Sequence, residues 1–256
     1  LQTLTEVTGR HRALAALRES EARQAFLLEL SDSLRPLHGA DEIRLTAARV
    51  LGRRLGANRV VYVEHDEAAR AFDVSSNYAD GVADATGRYR YESYGDDLLA
   101  ELRAGRTRVQ PDVTNDPRLS EAQRSALVGH GVKAAITLPL VKAGRLVAFV
   151  GVTFAATHDF TPQEIELVRE TAERTWAAAE RARAERDLVK ANELLKTTVD
   201  SSLQIIQLFR TVRDKDGTIV DFTWLLTNRQ WDDRWGSNVG KSLLKENPAV
   251  VETGIW

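Results

Sequence analysis

VKAAITLPLVKAGRLVAFVGVTFAA, residues 132–156, reads as two β-strands folded back on each other at Ala143 and Gly144. In the first arm Ile136, Leu138 and Leu140 share one face, and Thr137, Pro139 and Val141 share the other. In the second arm Val150, Val152 and Phe154 oppose Phe149, Gly151 and Thr153. One face is large and aliphatic, as a sheet packed by helices requires. The face of Thr137, Gly151 and Thr153 is small and partly polar, and it leaves room for a ligand.

The flanks supply starts and stops. On the C-terminal side, HDFTPQEIELVRE (158–170) places Thr161 at an N-cap, Pro162 at the first helical position and Glu164 at the third. No Gly or Pro follows until Gly217, so the spacing predicts one helix from Pro162 to about Thr198, roughly 55 Å long. Its later part, ERARAERDLVKANELLK (180–196), is mostly charged. It is either a solvated helix or one strand of a coiled coil, with the heptad register open. On the N-terminal side, VQPDVTNDPRLSEAQRS (109–125) is a turn broken by Pro111 and Pro117, and Ser120 with Gln123 forms a capping box for the next helix. Asp112 follows the short strand RTRVQPDV and reads either as a turn former or as a pocket acceptor.

Farther out, residues 10–35 carry no Gly or Pro and repeat apolar residues at Leu14, Leu17, Ala25, Leu28 and Leu34, predicting a helix that ends before Pro36. A second helix spans 41–55, with Asp41 as N-cap and Gly56 as stop. NRVVYVEHDEAARAFDVSSNY (58–78) is a hairpin with Val60, Tyr62 and Glu64 on one face and Val61 and Val63 on the other. Both faces are apolar, so both are covered. Residues 79–95 are expected to form an irregular, tyrosine-bearing loop before the short helix DDLLAELRAG. SLQIIQLFRTVRDKDGTIVDFTWLLTNRQWDDRW (202–235) begins a new domain of two strands and a helix-like segment.

Composition narrows the function. The 256 residues are 43% hydrophobic and 28% charged, within the range of globular chains with one or two domains. No apolar run reaches the roughly eighteen residues of a membrane span, and no signal peptide opens the chain, so the expectation is a cytoplasmic protein. Zero cysteines exclude disulfides, thiolate metal sites, thiol catalysis and a cysteine-linked cofactor on this chain. A net charge of −2 gives no electrostatic case for nucleic acid. There is no P-loop and no Ser/His/Asp order. His65-Asp66-Glu67 has the composition of a phosphoacceptor box but ends a strand rather than sitting on an exposed helix. With zero Met and an opening LQTLTEV, the chain is expected to be a fragment of a larger protein.

The order of elements resembles a GAF domain over about residues 20–185. The carrying motifs are Leu138-Pro139-Leu140 with the Gly144 turn, and Phe160-Thr161 at the start of the terminal helix. The C-terminal piece, with Asp200-Ser201-Ser202, RDKDGTIVDFTWLLTN and VGKSLLKENP, resembles the first half of a PAS domain. LTEVTGRHRALAALRESEARQ looks like the exit of a preceding PAS domain, a strand remnant and then a linker helix.

The resemblance implies an α+β fold. A six-stranded antiparallel sheet would carry the first and last helices on one face, and loops and short helices around a pocket on the other. The implied domains are 1–19 (linker helix), 20–185 (GAF), 186–199 (coiled-coil-like signalling helix) and 200–256 (start of PAS). The implied pocket lining is Tyr89, Tyr91, Tyr94, Asp112, Thr114, His130, Thr137 and Thr153. The cyclic-nucleotide pattern of some GAF domains is absent, a thioether-linked bilin is excluded, and a haem on His130 or His158 has only lone histidines behind it, so the cofactor is left unknown.

By this resemblance the chain is a non-catalytic sensory and signal-transmission module. It binds a small molecule or relays a signal through a helical homodimer, between an adjacent PAS domain and the transmitter of a sensor histidine kinase. The rival expectations are a structural dimerisation spacer without ligand, or the input region of a diguanylate cyclase, a phosphodiesterase or a transcriptional regulator.

Overall fold

A computed structural model describes residues 2–91 and 96–251. The chain forms two compact units, Leu1–Arg183 and Ala184–Trp256.

The first unit is built on an antiparallel sheet. Its strands are β1 (Arg59–Asp66), β2 (Ala71–Val74), β3 (Asn77–Ala79), β4 (Gly87–Arg90), β5 (Arg108–Gln110), β6 (Ala134–Lys142) and β7 (Arg145–Phe154). The order is β4-β2-β1-β7-β6-β5, and β3 pairs with β1 on the edge away from β7. β2 pairs with residues 64–66 of β1 and β3 with residues 59–61, so seven strands fill the six expected sheet positions.

β6 and β7 turn at Ala143 (φ 49°) and Gly144 (φ 75°). Two successive positive φ angles give the turn whose twist matches that of the flanking strands. The one-residue alternation then sends Ile136, Leu138, Leu140, Val150 and Val152 into the main core, beside Val60 and Tyr62 of β1.

Helices α1 (Gln2–Leu34), α2 (Ala40–Leu55) and the sheet-covering part of α5 (Pro162–Asp200) supply the other side of that core. α1 buries Phe26, Leu30 and Leu34, spaced four apart, whereas Leu14, Leu17 and Leu28 are exposed. The stripe therefore lies one residue-step away from the one read through Leu28. α1 is already helical at Gln2, which corrects the strand remnant expected near its start.

α2 ends at Gly56 in the left-handed conformation (φ 65°), as its sequence predicts. Its N-cap is Gly39, not Asp41. Asp41 sits in the first turn, accepting from Arg44 at 3.0 Å and from Ser75 at 2.9 Å. α5 begins with the expected reciprocal cap: the Thr161 amide donates to the Glu164 carboxylate (2.8 Å), and the Glu164 amide donates to Thr161 Oγ1 (3.2 Å).

β4 corrects the loop expected over 79–95. Arg88 and Tyr89 pair with Asp73 and Phe72 of β2. Arg and Tyr alternate there without an aliphatic residue, so sequence periodicity is weak while the edge of β2 still offers a ladder. α3 (Asp96–Arg103), a 3₁₀ turn at Val113–Asn115 and α4 (Glu121–Gly129) lie between β4 and β6. The Ser120/Gln123 capping box of α4 is present in both directions.

In the second unit β8 (Gln207–Arg213) and β9 (Ile219–Thr227) form a hairpin, followed by α6 (Arg229–Trp235) and α7 (Leu243–Glu246). Asn228 is fully buried. Its side chain donates to the Gln204 carbonyl (2.8 Å) and accepts from the Ile206 amide (3.0 Å), locking the strand to the chain that enters it. No helix among the described residues is long and apolar enough to cross a membrane.

Candidate ligand-binding site

The second face of the sheet carries the site. Strand register sets Arg59 beside Thr153, Val61 beside Gly151 and Val63 beside Phe149. It also sets Thr137 beside Gly151, Arg108 beside Thr137 and Gln110 beside Ala135. A Cβ on Gly151 would stand 2.8 Å from Val61 Cγ2, so only glycine lets the Val61 methyl settle onto β7. Above this floor Ala85, Tyr89, Leu98 of α3, and Leu119, Leu127, His130 and Val132 close a cavity of about 210 Å³.

Three long polar side chains enter the cavity from the strands: Arg59 of β1, and Arg108 and Gln110 of β5. Arg59 is only 5% exposed. It donates to two carbonyl oxygens, those of Ala83 (2.6 Å) and His130 (3.3 Å), while its buried Nε has no acceptor. Burial lowers its proton affinity below the ordinary guanidinium value. Arg108, also buried, is paired with Glu101 at 2.5 Å. Gln110 donates to Asp116 at 2.7 Å. Bonds from the Arg118 side chain, then from Gln110, hold the Asp116 carboxyl well below the usual range.

Tyr89, His130, Thr137 and Thr153, named from sequence, line this cavity. Tyr91 does not. It is buried just past the end of β4, against Phe72 of β2, where its hydroxyl meets His65 Nε2 at 2.6 Å and the Asp66 carbonyl at 3.0 Å. Asp112 turns back on its own chain, accepting from the Thr114 amide (2.9 Å) and Asn115 Nδ2 (2.7 Å), and Thr114 is exposed. The turn-former reading of Asp112 thus replaces the pocket reading. Tyr94 lies outside the described residues.

Sequence reasoning missed Arg59, Arg108 and Gln110. Their signal is positional: Arg108 and Gln110 flank Val109 with the two-residue period of a strand, so both share the face of Thr137.

A family model, GAF domain, matches residues 40–179. The chain belongs to the GAF domain family. Among solved structures, the GAF domain of Thermosynechococcus elongatus PixJ in its blue-light absorbing form is similar at 18% identity, TM-score 0.52, over 59% of this chain and 91% of that one. The phycoerythrobilin-bound GAF domain from a cyanobacterial phytochrome is similar at 15% identity, TM-score 0.55, over 64% of this chain and 97% of that one. The chromophore-binding domain of the bacteriophytochrome RpBphP3 from R. palustris is similar at 15% identity, TM-score 0.56, over 66% of this chain and 64% of that one. These likenesses establish the fold. No curated protein sequence matches the chain.

The residues of this GAF domain do not fit a four-ring chromophore. There is no cysteine for a thioether bond. The cavity, at about 210 Å³, is smaller than the roughly 300 Å³ from which pockets hold drug-sized ligands. The same volume argues against haem on His130. His158, the other candidate, is stacked on Phe154 (4.2 Å between centroids) and bonded to Glu164 at 3.1 Å, away from the cavity lining. Among the described residues no cluster of His, Asp or Glu is arranged to hold a metal ion.

Proposed function

We propose that this GAF domain is a sensory module whose cavity binds a small molecule and whose α5 helix transmits the outcome. The observation that carries the reading is the two-sidedness of β1. Arg59, Val61 and Val63 line the cavity, while the alternate residues Tyr62 and Glu64 hold helices on the opposite face. Tyr62 donates to the Ala172 carbonyl of α5 at 3.4 Å. Glu64 accepts from both Arg44 of α2 and Arg183 of α5. A displacement of β1 by an occupant must therefore act on α5.

The same reading assigns α5 to a helical homodimer, supported by Leu188, Val189, Leu194 and Leu195, which stand exposed beyond the sheet. The output is a transmitter such as that of a sensor histidine kinase, with the hairpin of the second unit as the start of a PAS domain. The GAF unit itself is non-catalytic and works inside the cell. A thermal-shift screen of the 256-residue chain against metabolites tests the ligand. Stabilisation by at least one is expected, and none by any would leave a structural spacer as the function.

A further inference from the structure

The described residues that line the cavity include two arginines and a histidine and no Asp or Glu. One arginine is already neutralised, since Arg108 holds Glu101. Arg59 holds no such partner: among the described residues no carboxylate ion-pairs with it, Asp84 acts on it only through space, its fork is met only by two carbonyls, and its buried Nε has no acceptor. A cation 95% withdrawn from water with no carboxylate bonded to it is a costly arrangement even with Asp84 nearby, and an anion bound to it reduces the cost. Besides a few neutral polar groups such as Gln110, Gln123, Thr137 and Thr153, the lining is apolar, with Val61, Val63, Leu127 and Phe149 as floor and wall. That surface suits the body of an organic molecule and not a free, strongly hydrated ion. Size sets the scale. An apolar cavity of about 150 Å³ holds benzene, so about 210 Å³ holds one ring or a short branched chain with one small head group.

We propose that the cavity takes a small monocarboxylate with an apolar body, its carboxylate bound by Arg59. This rests on the sensory reading and names the ligand class of the same site. The carboxylate accepts from the Arg59 guanidinium at the β1 end of the cavity, where the Thr153 side chain of the neighbouring strand offers a hydroxyl. The carbonyls of Ala83 and His130 hold the guanidinium in place before the ligand arrives. A neutral analogue of the same shape fills the apolar part but leaves the cation without its counterion.

Calorimetric titration of the 256-residue chain tests this with phenylacetate and 4-methylpentanoate against phenylacetamide and 4-methylpentanamide, with inorganic phosphate as a further arm. The acids are expected to bind about ten- to a hundredfold tighter than their amides, the range of a charge-assisted hydrogen bond. The Arg59→Gln variant is expected to lose that difference. Should Arg59→Gln fail to fold, as its circular dichroism will show, the acid-to-amide ratio of the unaltered chain decides alone.

Amides that bind as tightly as acids, acids that bind Arg59→Gln unchanged, or phosphate that binds as tightly as phenylacetate would each overturn the inference. In those cases the sensory reading survives. Absence of binding by every probe overturns the carboxylate inference, and the sensory reading falls with it only if the metabolite screen is also blank.

Discussion

Replacing Glu64 by Gln removes one charge from a place where three elements meet. Its carboxylate accepts from Arg44 of α2, which is 2% exposed, and from Arg183 of α5, which is 37% exposed. Taking one partner from a fully buried ion pair costs about 3–5 kcal/mol, chiefly because the remaining charge is stranded. Two facts reduce that figure here. Glu64 is itself 35% exposed, and Arg44 keeps Asp41 at 3.0 Å and the Tyr62 ring at 5.6 Å. The expected loss is therefore about 2 kcal/mol, since Arg44 keeps half of its compensation. For a unit of this size that lowers the melting temperature by about 4–8 °C, read by far-UV circular dichroism. Arg183→Gln alone should cost under about 1 kcal/mol because that side chain is wet. The double variant should cost less than the sum, with a coupling near 1 kcal/mol. If Glu64→Gln costs under about 0.5 kcal/mol, or the cycle is additive within about 0.5 kcal/mol, β1 does not hold α5 through this carboxylate and cannot act on it by this route.

Gly52→Ala should destabilise by about 1–3 kcal/mol, although alanine is the better helix former. The added Cβ would meet the Tyr78 ring at 2.3 Å, and a variant as stable as the parent in urea denaturation would refute that contact. Burial, ahead of the nearby charges of Glu67, Arg103 and Asp66, holds the His65 imidazole below its ordinary value. The unfolded chain then binds the extra proton first, so His65's contribution is complete above about pH 6.5 and falls away as the pH drops below it. Urea midpoints of the parent and His65→Asn should converge on acidification, and parallel profiles would refute the half-buried neutral ring. Sedimentation of the 256-residue chain at micromolar concentration should show a dimer that Leu188→Glu with Leu195→Glu dissociates, and a monomeric parent would remove the helical homodimer.

How far the fold is legible depends on how local its determinants are. The β6–β7 hairpin, the Thr161 cap, the Ser120 capping box and the Gly56 stop are each written within a few consecutive residues, and each forms as read. β4 is not legible, because its pairing comes from the open edge of β2 rather than from its own Arg and Tyr residues. Gly52 shows the same limit from another side. In sequence it is a weak point in a helix, and only the fold reveals Tyr78 lying across it. Of the site, Thr137 and Thr153 follow from strand alternation, whereas Arg59 and Arg108 escape notice because a long basic side chain on a strand normally reaches water. Asp112 goes the other way: its neighbours Thr114 and Asn115 satisfy it locally before any pocket is considered.

The two-residue period of β1 joins site and signal in one physical statement. A shift of β1 by one residue would send Arg59, Val61 and Val63 into the helix core and Tyr62 and Glu64 into the cavity, so its register is held firmly from both faces. The strand is then free only to tilt or translate as a body, bounded by β7 on one edge and by β2 and β3 on the other. Along it, four residues lie between the arginine that faces the cavity and the glutamate that grips Arg183. A rigid strand of that length levers rather than absorbs motion. On the proposed reading, an anion drawn onto Arg59 would pull the start of β1 toward the cavity, and the Glu64 end, anchored to both α2 and α5, would pass the change to α5.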